Sequence, residues 1–596
     1  PHPGTERIMT VNIDSVDVLV WGGGTGGAAA AIQAARGGAS TLLLTPGPWL
    51  GGMVSAAGVC CPDGNELSPW QTGLWGAFLR ELEQGEPEGL DQNWVSCFGY
   101  RPRTAETILQ NWLQQETRLL WWPGCQLLNV ERAGSLITGL RVEMEGEVRR
   151  VKCRVVIDGS DRGDLLPLAD APFRFGWEPQ EQWQEPSAPS QQRLSTEPFF
   201  RDQPIQSPTW VVMGQLQSDQ LGDPLQQVDQ SSGSRLPAPF QGACDTFGLE
   251  KTITYGRLPS GLVMLNWPLH GNDWHRGLER AFLADASQEA LLFSEMQQHS
   301  LSFADALRKA SDGWLQLGQA FPSSAASPAP WIAAMPYWRE GRRMIGRTTV
   351  IEQDLLPLTE GVCMSGPPVN DSEVLQSIAV GNYANDHHYP GDDWPLAPKS
   401  CRWGGRWTGT PFCIPFGALL SEAIDNLLMA DKAFSTSHMA NGATRLQPLI
   451  MNVGQAAGAA SALAVESNLQ PSELSVRSLQ NRLIGDDRAP AAVAPLWDTA
   501  WHHSQWLERQ TAALDRKPLA PALPETLESG RSVHAMVIPD GEGSYRIQLE
   551  DAESCQLITL EPAVNARLQT LDKPISVMVQ GTHNPWGGWF RTTSLR

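Results

Sequence analysis

The sequence lacks the features of several protein classes. None of its 596 residues lie in an apolar run of about 18 or more, so no segment is predicted to span a membrane. The N-terminal segment PHPGTERIMTVNID has no apolar core of the kind that signal peptides carry. Basic residues are few, with 44 Lys and Arg against 65 Asp and Glu, and the net charge is −21. This balance disfavours nucleic acid or an anionic membrane as a partner.

Cysteine motifs are lacking as well. The ten cysteines form neither a CxxC pair nor a Cys/His spacing suited to zinc, so no metal site is predicted. With 41% hydrophobic and 18% charged residues, the composition indicates a soluble globular enzyme, reduced and cytoplasmic. The adjacent Cys60 and Cys61 leave alternatives open: small buried hydrophobes, or a redox or covalent-cofactor role.

A glycine-rich turn stands between a predicted strand at residues 17–21 and a predicted Ala-rich helix at residues 28–36. Its first glycine permits a tight bend, the second lets backbone approach a pyrophosphate, and the third lets helix and strand pack closely. Amides at a helix start bind phosphate groups. The residues predicted to cradle a dinucleotide here are Gly22, Gly24, Thr25, Gly26 and Gly27.

The next predicted strand, residues 41–44, departs from the usual dinucleotide pattern at its end. An acidic residue normally stands there and binds a ribose hydroxyl. Here Thr45 occupies the position, and its hydroxyl can make one such bond without charge assistance. We therefore expect the affinity for the adenosine end of the dinucleotide to be lower, or to come from other residues. The departure weakens NAD as the ligand more than FAD, because FAD has more surface to bury.

Further along the chain, the pattern predicts the other elements. Three β-like stretches, residues 126–130, 136–143 and 147–152, predict an antiparallel meander followed by a separate strand at 155–157. Residues 178–240 are rich in Gln, Pro and Ser and predict a long excursion outside the core. Prolines at 517–528 indicate a linker, and alternating polarity at 530–596 indicates a small β-rich appendix.

Several segments, in order, resemble those of one known family. They are WLGGM at 49–53, VIDGSDRGDL at 156–165, PYWREGRR at 336–343, DHH at 386–388, NLLMADK at 426–432 and GQAAG at 454–458. Together they are similar to the motifs of glutathione-reductase-like, single-dinucleotide-fold FAD-dependent oxidoreductases. The GQAAG segment resembles a motif that presents another helix N-terminus to the flavin. The resemblance implies FAD as cofactor and adds Gly51, Gly52, Met53, Asp158, Gly159, Gln455 and Ala456 to the cofactor-binding residues.

The expected fold is α/β, with a Rossmann-type FAD-binding domain, an inserted mixed α/β substrate domain and the β-rich appendix. The FAD-binding domain is predicted in two parts, residues 10–177 and 411–500. The substrate domain falls between them at 178–410, and the appendix at 530–596.

The reaction requires a base if hydride leaves a carbon that bears OH or NH. We predict His388 for this role, since it matches the histidine of the family's D-x-H segment, with Asp386 orienting it. His438 is a second candidate. Arg342 and its neighbours Arg339 and Arg343 have two alternative roles. They either bind a substrate carboxylate or pair with Glu340 and nearby acids. Residues 266–273 either line a substrate pocket or form a structural loop.

Three functions are consistent with these residues. With no second GxGxxG after a strand and no CxxC, reduction of FAD by the substrate itself is the simplest. The main hypothesis is thus a dehydrogenase or oxidase of a small polar alcohol or amine, passing electrons to dioxygen or another acceptor. The alternatives are a flavin-dependent monooxygenase and an FAD-containing interaction protein without catalysis.

Overall fold

A computed structural model gives the architecture of most of the chain. The predicted linker at 517–528 lies outside the described part. The structure describes residues 14–217, 236–268, 270–322, 329–355, 365–390, 410–496, 499–515, 532–540, 545–550, 554–559, 562–584 and 589–596.

Strands and α-helices are numbered in chain order. The strands are β1 (Ser15–Trp21), β2 (Thr41–Thr45), β3 (Leu119–Pro123), β4 (Gln126–Ala133), β5 (Leu136–Met144), β6 (Glu147–Asp158), β7 (Phe173–Arg174), β8 (Val212–Leu216), β9 (Leu262–Leu265), β10 (Leu315–Leu317), β11 (Arg343–Met344), β12 (Ser377–Tyr383), β13 (Thr410–Pro415), β14 (Leu427–Met429), β15 (Val533–Pro539), β16 (Tyr545–Leu549), β17 (Cys555–Thr559), β18 (Ile575–Asn584) and β19 (Trp589–Leu595). The helices are α1 (Thr25–Arg36), α2 (Gly73–Gly85), α3 (Pro102–Gln114), α4 (Leu165–Leu168), α5 (Gln180–Trp183), α6 (Gln191–Thr196), α7 (Pro198–Asp202), α8 (Gly248–Thr254), α9 (Ala286–Ala310), α10 (His438–Thr444), α11 (Gln447–Ser467), α12 (Val476–Ile484), α13 (Trp506–Leu514) and α14 (Pro562–Leu568).

The main sheet has seven strands in the order β3-β2-β1-β6-β5-β4, with β14 paired to the far end of β6. Strands β1, β2, β3, β6 and β14 run parallel, while β4, β5 and the first half of β6 form the antiparallel meander. Val18, Leu19 and Val20 of β1 are all fully buried, as expected for a parallel strand covered on both faces. The predicted α/β class with a Rossmann-type parallel sheet is confirmed.

Strand β6 corrects one prediction. The sequence indicates two strands, at 147–152 and 155–157, but the structure has a single strand from Glu147 to Asp158. Its first half pairs with β5 and its apolar second half pairs with β1 and β14. The change from alternating to continuous hydrophobicity therefore marks a change of neighbours, not a break in the strand.

The sequence predicts that residues 178–240 form an excursion outside the core. The structure places part of this region in the core, so the prediction was wrong for that part. Strand β8 is the centre of a three-stranded sheet in the order β10-β8-β9. Trp210, Val211 and Val212 are buried, and Val212 belongs to a second hydrophobic cluster that includes Phe303 of α9. Residues 218–235 lie outside the described part of the chain.

The C-terminal appendix is a closed five-stranded barrel in the order β15-β16-β17-β19-β18. Strands β17 and β19 pair in parallel, and α14 connects the third strand to the fourth. This order, with one helix at that point, is that of an OB-fold barrel. Its interior is filled by a hydrophobic cluster of its own, which includes Val537, Ile547 and Leu557.

Helix α11 packs along α1 beneath the sheet. A Cβ atom on Gly454 or Gly458 would overlap the backbone carbonyls of Gly26 or Ala30, so the two helix backbones lie in close contact. By length and hydropathy α11 is the one described helix that could cross a membrane, but 94% of its apolar window is buried inside the molecule. That burial is typical of a core helix.

Candidate functional site

The candidate site begins at the turn between β1 and α1. Gly22 adopts a φ of +92°, which a side chain would strain. The amide of Gly24 donates to the carbonyl of Gly159 over 3.2 Å. The amides of Gly23 and Thr25 donate to no protein acceptor among the described residues. Two unpaired amides at the start of a helix are what an anionic phosphate satisfies.

A second glycine segment closes against this turn. The hydroxyl of Thr25 donates to the carbonyl of Gly51 over 2.7 Å. A Cβ atom on Gly52 would lie 2.8 Å from the Cα of Gly24, so the approach requires glycine. Met53 follows and is almost fully buried. The structure thus brings the two predicted glycine segments together, although most of helix α1 and the whole of strand β2 separate them along the chain.

Asp158 ends β6 beside the same turn. Its two carboxylate oxygens accept from the amides of Ser160 and Leu165, each over 2.9 Å. Burial raises the pKa of Asp158 to about 7. A Cβ atom on Gly159 would overlap the Cα of Gly27. The carboxylate therefore fixes the loop after β6, and its direct contact with a cofactor stays a prediction.

One ionic cluster at the turn was missed at the sequence level. Asp431, just after β14, accepts from the amide of Gly26 over 2.9 Å, and Lys432 contacts both Asp431, over 3.2 Å, and Asp161. Burial lowers the pKa of Lys432, but Asp161 and Asp431, with a smaller contribution from Tyr337, raise it well above its usual value. The available signal was a carboxylate directly after a buried parallel strand, as at Asp158.

Thr45 stands where the sequence places it, at the end of β2, but its hydroxyl has protein partners. It donates to the carbonyl of Gly47 over 2.8 Å and accepts from Nε1 of Trp121 over 2.9 Å. The side chain is almost fully buried. The ribose contact of Thr45 therefore stays a prediction, and these bonds show no part of it.

The predicted helix start at Gly454 was wrong. Helix α11 begins at Gln447, with a proline in its first turn, so the GQAAG segment lies in mid-helix. The side chain of Gln455 accepts from the amide of Leu74 over 2.8 Å and donates to the carbonyl of Ala489 over 2.7 Å. Gln455 thus ties α11 to α2. Cofactor contacts of Gln455 and Ala456 remain predictions.

The predicted base lies between two carboxylates. Nε2 of His388 is 2.9 Å from Oδ2 of Asp386, and Nδ1 is 3.4 Å from Oδ2 of Asp273. The side chain of His388 retains 16% exposure, whereas that of Asp273 has 2%. The amide of Ser207 holds the His388 carbonyl over 2.9 Å. The histidine is accessible while both its ring nitrogens have defined partners.

Asp273 lies beside His388, whereas the sequence placed it only in a pocket or a loop. Arg339 donates to it over 3.0 Å, and to Asn266 over 3.4 Å. Burial favours a neutral Asp273, but Arg339 and His388 outweigh it and hold the pKa of this carboxyl well below its usual range. The neighbouring Trp267, in contrast, packs in a core cluster of aromatic rings.

A second arginine binds Asp386. Arg445 donates to Asp386 over 3.2 Å and to the hydroxyl of Tyr337 over 2.8 Å. Near the glycine turn, the ammonium of Lys432 contacts Asp431, which accepts from the amide of Gly26.

His438, the second candidate base, has both ring nitrogens bonded inside the protein. Nδ1 is 2.8 Å from Oε1 of Glu340, and Nε2 is 2.5 Å from the hydroxyl of Tyr389. Its side chain is 1% exposed and stacks on Trp177 with the ring centroids 3.9 Å apart. Burial lowers its pKa well below the usual value. This geometry offers no nitrogen to a substrate.

Arg342 is separate from the other arginines of its segment. It donates to the carbonyls of Arg162 and Phe282, over 3.4 and 3.0 Å, and forms no ion pair with a described carboxylate. Arg343 pairs with Glu178 over 2.7 Å and with Glu340 over 3.1 Å. Arg343 thus pairs with nearby acids and does not serve as a free binding group for a substrate carboxylate, which was the other alternative. A substrate contact of Arg342 stays a prediction.

The adjacent cysteines are buried as free thiols. Burial raises the pKa of Cys60 well above its usual value, so the thiol carries its proton. Among the residues that the structure describes, no group of three or more His, Cys, Asp and Glu side chains is arranged to hold a metal ion.

The turn fits the diphosphate of the cofactor predicted from the sequence. The surface of the turn is formed by backbone atoms, because glycines occupy the positions where a Cβ atom would collide. This surface presents the unpaired amides of Gly23 and Thr25. The helix dipole of α1 adds positive potential at the same point. The residues that would hold the ADP half are therefore those at 22–27, with residues 51–53 against them.

The chain is similar to one family model and to several solved structures. A family model described as FAD dependent oxidoreductase matches residues 17–483. No curated protein gave a match. Similar solved structures include a geranylgeranyl bacteriochlorophyll reductase-like protein (Ta0516) from Thermoplasma acidophilum, 12% identical with a TM-score of 0.32, over 85% of this chain and 88% of that one.

Two further structures match a smaller part of the chain. The p-nitrophenol 4-monooxygenase PnpA from Pseudomonas putida is 12% identical with a TM-score of 0.21, over 28% of this chain and 46% of its own. The probable FAD-dependent monooxygenase pqsL from Pseudomonas aeruginosa is 16% identical with a TM-score of 0.21, over 34% and 52%. Each of these two matches spans only about half of the other protein.

Proposed function

Because this chain belongs to the family of FAD dependent oxidoreductases, we propose that it oxidises a small polar alcohol or amine. Bound FAD supplies the hydride acceptor for such a reaction. The observation that carries the proposal is the position of His388, half-enclosed between the carboxylates of Asp386 and Asp273.

His388 is the group we assign to the substrate proton. An alcohol or amine loses a proton from oxygen or nitrogen as its carbon is oxidised, and a histidine suits this transfer near neutral pH. The contact of Nε2 with Asp386 is the shorter, so Asp386 orients the ring. The longer contact of Nδ1 with Asp273 is the one that gives way, and Nδ1 is the nitrogen we assign to the substrate.

The charges around His388 support a substrate without a carboxylate. Arg339 is paired with Asp273, and Arg445 is paired with Asp386 and bonded to Tyr337. Binding a substrate carboxylate to either arginine would break a buried ion pair, which is costly. A hydroxyl or amino group, in contrast, can bond to the existing carboxylates and to His388 without displacing a charge.

The direct test is an anaerobic screen of the FAD-loaded protein. Alcohols and amines are mixed with it one at a time without oxygen, and loss of the oxidised flavin absorbance is followed. We expect at least one of these compounds to bleach the flavin by itself. Bleaching only by a nicotinamide or chemical reductant would instead indicate a monooxygenase, and protein that binds no FAD would overturn the proposal altogether.

The role of His388 is tested by the variant His388→Asn. We expect it to keep its FAD but to be reduced about 10²- to 10⁴-fold more slowly by the substrate, the usual contribution of a general base. The matched control is His534→Asn, because His534 is exposed on strand β15 of the barrel. Unchanged stopped-flow reduction kinetics in His388→Asn would dispose of this assignment.

A further inference from the structure

Four side chains next to the proposed base form one chain of hydrogen bonds. Oε1 of Glu340 is 2.8 Å from Nδ1 of His438, and Nε2 of His438 is 2.5 Å from the hydroxyl of Tyr389. That hydroxyl is 2.9 Å from Nδ1 of His387, whose Nε2 is 2.9 Å from the carbonyl of Met439. The chain therefore ends on an atom that can only accept.

The acceptor at the end fixes the direction of every bond before it. Nε2 of His387 must carry hydrogen to reach the carbonyl of Met439. Burial lowers the pKa of His387 to about 3, so its ring is neutral and Nδ1 accepts from the Tyr389 hydroxyl. Tyr389 has only one hydrogen to give, and Nε2 of His438 must therefore donate to its oxygen.

It follows that Glu340 and His438 hold one extra proton between them. With Nε2 of His438 already a donor, its contact with Glu340 needs a hydrogen on either Nδ1 or the carboxyl group. Burial raises the pKa of Glu340 to about 7 and lowers that of His438, which places the proton on the carboxyl. Without this proton, two lone pairs face each other or a bond further along the chain is lost.

Charged and polar groups surround the pair. Arg343 lies 3.1 Å from Glu340 and is paired with Glu178, whose other oxygen accepts from the amide of His438. The amide of Gln206 donates to the second oxygen of Glu340 over 3.0 Å. The other charged or titratable groups that act on the pair or its neighbours are His387, Arg445 and Glu185.

The chain anchors the loop that carries the base. His387 and Tyr389, which belong to the chain, alternate along residues 385–389 with Asp386 and His388, which belong to the proposed catalytic cluster. The geometry points to Glu340 and His438 as positioning residues: the proton that they share holds this loop, and with it His388, in place. The catalytic side of this inference rests on the proposed function, whereas the anchoring of the loop does not.

The anchoring is tested by hydrogen–deuterium exchange of the peptide that covers residues 385–389 in the FAD-loaded full chain. Exchange is measured between about pH 5 and about pH 9, and each rate is divided by that of Glu340→Gln at the same pH to cancel the intrinsic pH dependence. Gln keeps a donor toward His438 but does not titrate. The proton is present at low pH and lost as the pH rises through about 7, so the ratio should rise about tenfold and then level off.

Two more variants complete the test. Tyr389→Phe breaks the hydrogen-bond chain in the middle, so the loop of this variant should exchange fast at every pH. Above pH 7 the wild-type loop should approach the exchange rate of the variant. This comparison can be made even if Glu340→Gln does not fold. Glu185→Gln is the matched control, since burial also raises the pKa of Glu185 to about 7. Glu185 lies outside the chain and acts on Arg343 instead of on Glu340 or His438, and Gln can still accept from the Ser437 hydroxyl. This variant should keep the wild-type pH step.

Flavin reduction separates this inference from the proposed function. If a substrate is found, its rate of flavin reduction should fall over the same pH window in the wild type and not in Glu340→Gln. If none is found, the exchange measurement still decides the anchoring, because it needs no substrate. A flat exchange ratio, or a Tyr389→Phe loop as protected as the wild-type loop, overturns the inference.

Discussion

Single buried charges dominate both halves of the candidate site. Lys432 compensates two carboxylates at the glycine turn, as Arg339 compensates Asp273 beside the proposed base. A buried ion pair adds little net stability when complete, because desolvation offsets its attraction, but removal of one partner leaves an uncompensated charge. Loss of a single one of these residues is therefore expected to lower the stability of the protein strongly.

The variant Lys432→Met tests this at the residue scale. It leaves Asp161 and Asp431 without their cation, so we expect a loss of about 3–5 kcal/mol in the free energy of unfolding at neutral pH. Burial already raises the pKa of Asp431, and Lys432 opposes that rise. Without Lys432 the folded-state pKa rises further above the unfolded value, so the deficit should be smallest in acid and grow as the pH rises.

Urea unfolding at about pH 5 and about pH 8 measures both effects. The control is Lys309→Met, which removes an exposed ion pair with Asp305 and should change stability by less than about 1 kcal/mol. A Lys432→Met deficit that equals the control, or one that is independent of pH, would contradict the argument.

At this scale, sequence pattern predicts local groups and misses distant ones. The glycines at 22–27 are recognisable because their spacing reflects one continuous turn. Asp273 and Arg445 are not, because they reach His388 and Asp386, respectively, from segments far from the 386–388 motif in the chain. His438 shows the converse: its position in the sequence favours catalysis, while its bonds to Glu340 and Tyr389 are visible only in three dimensions.

At the scale of elements, the contact between the start of α1 and the end of β14 determines the shape of the cradle. A Cβ atom on Gly26 would overlap the carbonyl oxygen of Ala430. We expect Gly26→Ala to push the helix start away, to cost about 1–3 kcal/mol or more, and to lower the FAD content of the purified protein. Flavin absorbance per chain and thermal unfolding measure the two effects.

Gly47→Ala is the matched control for this substitution. Gly47 follows β2 in the same part of the fold, but a Cβ atom there would meet nothing within 4 Å. Its FAD content and unfolding temperature should match those of the wild type. Equal FAD content in the Gly26 and Gly47 variants would show that the contact with Ala430 is not needed for cofactor binding.

Element types followed from the sequence more readily than element boundaries. The meander was predicted because its hydrophobic period is clear. The start of α11 was misplaced because the GQAAG segment at 454–458 resembles a motif that presents a helix N-terminus. In the structure those glycines serve helix–helix contact, with α1 lying directly against them.

At the scale of the whole molecule, the chain returns to its first sheet after a long insertion. Strand β14 adds to β6 more than 260 residues later, which puts Asp431 beside Gly26. The family resemblance implies such a return, since its closing segments begin at residue 426. The division into domains stays a prediction. The three-stranded sheet inside the insertion was not predicted, because its strands are short and separated by irregular chain.

The barrel at the C-terminus has a core that shares no described residue with the core around the main sheet. Leu557 of β17 is fully buried in it. We therefore expect Leu557→Ala to destabilise the barrel by about 2–5 kcal/mol while the FAD content stays unchanged. Limited proteolysis with mass spectrometry should show faster cleavage confined to residues beyond 530. The control is Met536→Ala, at a position that is 45% exposed in the same barrel, and this variant should be cleaved no faster than the wild type. Loss of FAD in parallel with cleavage of the Leu557→Ala barrel would mean that the two cores are energetically coupled, and the appendix would then have to be counted as part of the flavin-binding unit.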